Sequence, residues 1–177
     1  MAAGAYRKQA DSSAPGAAPR MLAVMWRLIE GNLDDVQVIE LLEHHLRRSL
    51  AESGGPHSCH ALDLSALRAP DVRFWSLWEG AELLAVGALK RLGSDHGEIK
   101  SMHTAASARR RGAASALLDH VVHAARVSGL TRLSLETGAA AYFAPARALY
   151  RRHGFLECPP FGDYRPDPNS VFMTRQV

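Results

Sequence analysis

The sequence predicts one α/β domain of the α+β kind, a mixed and mostly antiparallel sheet flanked by helices. Three observations carry this. Leu22, Val24, Trp26 and Leu28 alternate along residues 21–30, as in a strand with one buried face. Strand-like runs at 72–79, 82–91 and 98–104 follow one another with only turns between them, which predicts three consecutive antiparallel strands. After Asn32 and again after Gly112 the apolar period changes to that of a helix.

The chain has 177 residues, enough for one ordinary core and too few for two substantial ones. Hydrophobic residues make up 47% and charged residues 22%, the balance of a globular domain and not of a disordered chain. No apolar run approaches the ~20 residues that would cross a bilayer, so no membrane partner is expected. A formal net charge of +3 accommodates an anionic ligand but is too small and too scattered to predict a nucleic-acid partner. The two cysteines, Cys59 and Cys158, form no disulfide framework, and a reducing cytoplasm is the expected compartment.

Residues 1–20 are rich in Ala, Gly, Ser and Pro and read as a disordered tail ahead of a domain spanning 21–177. After the first strand, Asn32 is the expected N-cap, with Asp34 and Asp35 in the first turn where the helix dipole favours carboxylates. Val36, Ile39, Leu42, Leu46 and Leu50 then keep the helical period, and Ser53-Gly54-Gly55-Pro56 should end that helix. A polar stretch with His57, Cys59, His60 and Asp63 follows. Its donor atoms are crowded, yet no second ligand cluster at zinc spacing accompanies them, and no metal is expected.

Gly80-Ala81 and the segment 93–97 supply the turns between the three central strands. Beyond Gly112, residues Ala114, Leu117, Leu118, Val121 and Ala125 predict a helix with Gly129 as a left-handed C-cap. Leu133 and Leu135 mark the next strand. Pro145 suits the first turn of a short helix that stops at Gly154, with Phe155 placed for the apolar contact. Four prolines make the tail largely loop before a last strand at 170–174. His120 and His123 are expected on the surface, and Arg147, Arg151 and Arg152 on the solvated side of the last helix or near the ligand.

The chemistry lies in Arg109-x-x-Gly112-x-Ala114 between a strand and a helix. The first amides of a helix lack carbonyl partners and carry partial positive charge, so a pyrophosphate fits there. Gly112, Ala113 and Ala114 leave those amides uncovered. Neither a Gly-x-x-x-x-Gly-Lys-Ser/Thr loop nor a Gly-x-Gly-x-x-Gly after a strand is present, which argues against an ATPase or a dinucleotide oxidoreductase.

These residues, together with Ala146-x-x-Leu149-Tyr150-x-x-x-Gly154-Phe155, resemble the GNAT superfamily of acyl-CoA N-acyltransferases, and Ser134-Leu135-Glu136-Thr137-Gly138 and Phe161-Gly162-Asp163-Tyr164 resemble one bacterial branch of acetyltransferases within it. The resemblance runs from about residue 21 to the C-terminus. It implies a twisted sheet of about six to seven strands with about four helices and two central strands that splay apart. It further implies acetyl-CoA as cosubstrate, its pantetheine arm contacting Met102, His103 and Thr104. The pyrophosphate would lie on Arg109, Arg110, Arg111, Gly112, Ala113, Ala114 and Ser115. Phe143 stands where many members carry an asparagine that contacts the cofactor.

By the same resemblance the enzyme would move acetyl to a primary amine of a small molecule or peptide by direct attack. Tyr150 holds the position of the general acid. Glu98 resembles the placement of a general-base glutamate, and Glu136 is the second candidate. Asp63, Asp163 and Asp167 could draw in a cationic amine. A homodimer is possible, dimers being common among relatives. The competing reading is a non-catalytic module on the same fold that senses acyl-CoA or contacts RNA. A sensor need keep only the phosphate loop, whereas retention of Tyr150 and Glu98 favours catalysis.

Overall fold

The computed structural model describes residues 3–7, 25–52 and 64–177. Among these residues eight strands form one sheet: β1 (Ala3–Arg7), β2 (Met25–Glu30), β3 (Val72–Glu79), β4 (Glu82–Arg91), β5 (His96–Thr104), β6 (Arg132–Gly138), β7 (Leu156–Glu157) and β8 (Ser170–Gln176). Their spatial order is β1-β2-β3-β4-β5-β6-β8-β7. Three α-helices flank it among the described residues, α1 (Val36–Glu52), α2 (Ala113–Val127) and α3 (Ala144–Arg152), where about four were expected. The described part of the stretch between α1 and β3 holds only one 3-10 turn, at Ala66–Arg68.

Within the segment read as a disordered tail, Ala3–Arg7 pairs antiparallel with β2 at the sheet edge. Ala-Gly-Ala-Tyr-Arg carries no alternating apolar signature, so a strand held through backbone pairing to a neighbour leaves little trace in the sequence. The rest of that segment, residues 21–24 of the first predicted strand, and 53–63 with His57, Cys59, His60 and Asp63 lie outside the described residues.

The central strands are buried on both faces. Phe74 to Trp78 of β3 and Leu83 to Leu89 of β4 are inaccessible throughout, which explains why these runs are apolar but for Ser76, whose Oγ accepts the Trp78 indole N–H at 2.9 Å. On one face α2 and α3 pack through Leu117, Leu118, Val121 and Phe155 onto Trp75, Leu89 and Leu133. On the other, Val38 and Leu42 of α1 close over Phe74, Trp78, Val86 and Ala88.

Helix α1 differs from its sequence reading in two respects. Asn32 is not the N-cap: with Gly31 it adopts left-handed angles in the turn that leaves β2. Asp35 caps instead, its Oδ1 accepting the Gln37 amide at 2.9 Å. The buried face is also rotated, running through Val38, Leu42 and Ser49 while Val36 is 65% exposed. Apolar residues are spread over so much of this helix that more than one face fits the period.

The other helix ends follow the sequence. After α2, Gly129 is left-handed, its amide donates to Arg126 and that of Leu130 to Ala125. After α3, Gly154 and Phe155 repeat this with Arg151 and Tyr150. His120 departs from its surface placement: it is half-buried with its ring edge-on to Trp75.

The feature that shapes the site is the junction of β5 and β6. Every adjacent pair is antiparallel except this one, which is parallel and runs only from His96–Arg132 to Ile99–Leu135. Beyond it β5 stays with β4 as far as Thr104, and β6 stays with β8 as far as Gly138. A bulge turns β5 away: Ser101, at φ 52°, and Met102 together oppose Gly87. A Cβ on Gly87 would lie 2.5 Å from the Met102 sulfur, so glycine there lets the bulge seat.

Gly97 secures the paired half of the junction. A Cβ there would meet Leu130 at 2.7 Å, Leu89 at 2.9 Å and Leu133 at 3.1 Å, all buried. We predict that Gly97→Ala destabilises the fold by ~1–3 kcal/mol through overpacking, read as a lower urea midpoint at unchanged slope. An unshifted midpoint would show that this layer is not tightly packed.

Candidate active site

The gap between β5 and β6 opens into a cleft of about 1180 Å³ that continues to the start of α2 and reaches His45 and Ser49 on α1. Its far end is built by the turn after β5. Residues Ala106–Ala108 make one 3-10 turn, then Arg110 at φ 60° and Gly112 at φ 89° bend the chain so that α2 begins directly. Among the described residues no side chain caps that helix, and Ala113, Ala114 and Ser115 line the cleft. The amides at this end therefore meet an opening with no side-chain acceptor among the described residues, which suits a diphosphate.

The structure sorts the predicted residues. Met102, His103, Thr104, Arg109, Arg110, Gly112, Ala113, Ala114 and Ser115 all line the cleft. Arg111 does not: its guanidinium pairs with Glu79, and at 3.9 Å with Glu82, tying the β3–β4 hairpin to the start of α2. The left-handed residues Arg110 and Gly112 turn the chain on either side of Arg111, so its side chain leaves the cleft that Arg109 and Arg110 line.

Tyr150 projects from α3 into the cleft wall with its ring against Phe155. Burial, reinforced by the charge of Glu136, pushes its hydroxyl well above the usual phenol range, so it holds its proton. Glu136 lines the same cleft from β6 and accepts a hydrogen bond from Ser170 Oγ at 2.7 Å. Burial raises its carboxyl; the Ser170 bond and the charge of Lys100 oppose that rise, and Glu98 and Asp167 add to it.

Glu98 is placed differently from its sequence reading. It is buried on β5 outside the cleft lining, and its Oε1 accepts from Lys100 Nζ at 3.1 Å and from the Tyr164 hydroxyl at 2.5 Å. Lys100 Nζ also donates to the Tyr164 oxygen at 2.7 Å. This triad locks the C-terminal loop onto the sheet, and the carboxylate is occupied. The acidic residues expected to attract an amine are likewise elsewhere: Asp163 is exposed, Asp167 caps the Asn169 amide at 2.8 Å, and neither lines the cleft.

His45, Ser49, Ser101 and Tyr142 of the cleft lining carry no signature in the sequence motifs. His45 and Ser49 belong to the buried side of α1, at helical spacing from Leu42. Ser101 Oγ, at the bulge, is buried with no hydrogen-bond partner among the described residues. Tyr142 and Phe143 form a wall, ring centroids 4.9 Å apart, with Phe143 seated on Gly138 where a Cβ would approach its ring to 2.2 Å. Arg48 of α1 reaches over Tyr142 at 4.7 Å and so bridges the two sides of the mouth. Arg147 donates to the Gly138 and Ala140 carbonyls, fixing α3 to the end of β6, whereas Arg152 lines the cleft.

A bare helix start beside a gap between splayed strands, with a tyrosine and a carboxylate on its walls, marks this cleft as the candidate active site. The Acetyltransferase (GNAT) family matches residues 38–155, more than half of the chain. The chain is 51% identical over 148 residues to the uncharacterized N-acetyltransferase YsnE of Bacillus subtilis, covering 82% of this chain and 97% of the relative. It is 38% identical to the IAA acetyltransferase of Azospirillum brasilense, covering 84% and 95%. Among solved structures, one described as an acyl-CoA N-acyltransferase from Klebsiella pneumoniae aligns with TM-score 0.72 at 27% identity, covering 86% of this chain and 98% of that one. This protein belongs to the GNAT acetyltransferase family and is an acetyltransferase.

The histidines at the mouth carry a pH consequence. His103 lies 4.8 Å from His45 and 5.7 Å from His44 between ring centroids. Burial, then the neighbouring rings, lowers His45 to about 4 and His103 to about 3. Below the ordinary value of 6.5 the unfolded chain binds protons that the folded chain refuses. Stability is therefore fully present above that value and is lost as pH falls toward about 4 and then about 3. We expect His103→Gln to flatten the acid limb of a plot of urea midpoint against pH, and an unchanged limb would sink this account.

Proposed function

We propose that the enzyme transfers the acetyl group of acetyl-CoA to a primary amine by direct attack within this cleft. The observation that carries the reading is the continuity of the uncapped α2 start with the β5–β6 gap, which gives one ligand a place for its diphosphate and for its extended arm. The backbone of Met102, His103 and Thr104 lies along that gap without a β6 partner, free to bond an amide-bearing chain. When bound, acetyl-CoA supplies an activated acyl carbon whose thiol leaving group titrates near ~8.5.

Glu136 is the base we assign in place of Glu98. It lines the cleft, and the rise of its carboxyl toward neutrality matches it to accepting a proton from an ammonium or amine, directly or through a water. Tyr150 is the acid. Because burial strengthens its hold on the proton, complete transfer to a thiol of ordinary acidity is uphill, so the hydroxyl's chief work is to donate a hydrogen bond to sulfur as charge develops. In balance, the amine nitrogen forms a bond to the acyl carbon, the carbon–sulfur bond breaks, and one amine proton ends on the thiol.

The sensing or RNA-contacting alternative needs only the phosphate loop, and it leaves Tyr150 and Glu136 at the cleft wall without a task. Thiol release from acetyl-CoA against a library of amines, with IAA assayed alongside as a non-amine acceptor because of the Azospirillum relative, separates the readings. Coenzyme A binding with no release against any acceptor would favour the sensor.

We expect Tyr150→Phe to lower kcat by at least about tenfold at nearly unchanged coenzyme A affinity. Glu136→Gln should lower kcat/KM by about a hundredfold and remove the acid limb of its pH profile. Wild-type rates in either variant would remove that residue from the mechanism.

A further inference from the structure

The start of α2 has a side-chain relay behind it that the transfer chemistry does not use. Ser115, in the first turn of α2 and on the cleft wall, has its Oγ 3.2 Å from His153 Nε2. The other ring nitrogen, Nδ1, lies 3.1 Å from Asp119 Oδ1, one helical turn further along α2. His153 is the C-cap of α3, so a residue from one helix end is clamped against the opening turn of another.

The proton positions follow from the donor inventory. A carboxylate is acceptor-only, so Asp119 keeps the ring proton on Nδ1. In the neutral ring Nε2 then has only a lone pair, and the single hydroxyl proton of Ser115 is spent on it. The serine oxygen turns its lone pairs toward the cleft, where they repel an anion. In the protonated ring Nε2–H donates to Ser115 Oγ, and the hydroxyl proton is released to donate to a phosphate oxygen.

We infer that Asp119, His153 and Ser115 form a proton-linked clamp for the diphosphate of the nucleotide cosubstrate, in which ligand binding and protonation of His153 promote each other. Ser115 touches the ligand, and His153 and Asp119 are positioning residues that act through it. The inference rests on the reading of the α2 start as the diphosphate site. The diphosphate carries no group that titrates near neutrality, so the proton must come to the protein.

The charged groups facing the ring are few. Asp119 on α2 lies 3.1 Å from Nδ1, and the ring sits at the C-terminal end of α3. Arg152 precedes it on α3, and the guanidinium of Arg175 on β8 donates to the His153 carbonyl. Burial, then the charge of Arg126, lowers Arg175, while Asp119 opposes that. An incoming diphosphate adds negative charge on the cleft side of Ser115.

The test is calorimetry of the full chain with dephospho-CoA, which lacks the 3′-phosphomonoester that would itself titrate. We expect affinity to fall about tenfold between pH about 5.5 and about 8.5. Near the midpoint, heats in buffers of different ionisation enthalpy should report uptake of a fraction of a proton per ligand bound. His153→Gln, whose amide donates to Ser115 without titrating, should bind at every pH as tightly as the wild type does at low pH. Ser115→Ala should show neither the pH dependence nor the proton uptake, and Asp119→Asn, which removes the acceptor that fixes the ring proton on Nδ1, should weaken both.

Wild-type binding with no proton uptake, or a Ser115→Ala variant that keeps the full pH dependence, would overturn the clamp while leaving the diphosphate site in place. No binding at any pH would overturn the site and the clamp together.

Discussion

Two neighbouring strands that run parallel for four residues and then part are the constraint on which this molecule is organised. Each of β5 and β6 has a second partner that it keeps along its length, β4 for one and β8 for the other. The bulge at Ser101 and Met102 commits β5 to its own side, and Gly87 opposite makes room for it. Backbone groups in the middle of a sheet would ordinarily be paired. Here they are exposed along a gap bounded by rigid, well-packed strands, which is a binding surface built without any loop.

The two faces of the sheet divide the labour. On one, α2 and α3 bring the uncapped helix start, Tyr150 and the His153 relay to the cleft. On the other, α1 and the C-terminal loop supply His45, Ser49 and the strap from Arg48 to Tyr142, with the Glu98–Lys100–Tyr164 triad fastening the loop down. Buried ion pairs lose solvation that their mutual attraction only partly returns, and a third hydrogen-bonding group satisfies what remains. A carboxylate so engaged serves architecture, while Glu136, held by one serine bond at the cleft wall, keeps a free capacity for protons.

Electrostatics in the cleft are set mainly by loss of water. Burial holds Tyr150 protonated, raises Glu136 and keeps His45 and His103 neutral. Arg109, Arg110 and Arg152 line the cleft toward the α2 start, while Glu136 and Lys100 line it at the β5–β6 gap.

The sequence alone determined what depends on neighbours within a turn or a hairpin. The β3–β4 hairpin, both glycine-terminated helix ends and the phosphate turn at Gly112 are local: their apolar period, their left-handed positions and their lack of side-chain bulk can be read residue by residue. Tertiary structure decided what depends on which side an element shows to its neighbours. It chose the face of α1 that carries His45 and Ser49, because the apolar residues of that helix fit more than one face. It turned Arg111 to Glu79 and closed Glu98 with Tyr164, sixty-six positions away. It paired Ala3–Arg7 as an edge strand through backbone groups that every sequence possesses. Periodicity encodes that a face will be buried, but the identity of the partner across it is a property of the assembled sheet.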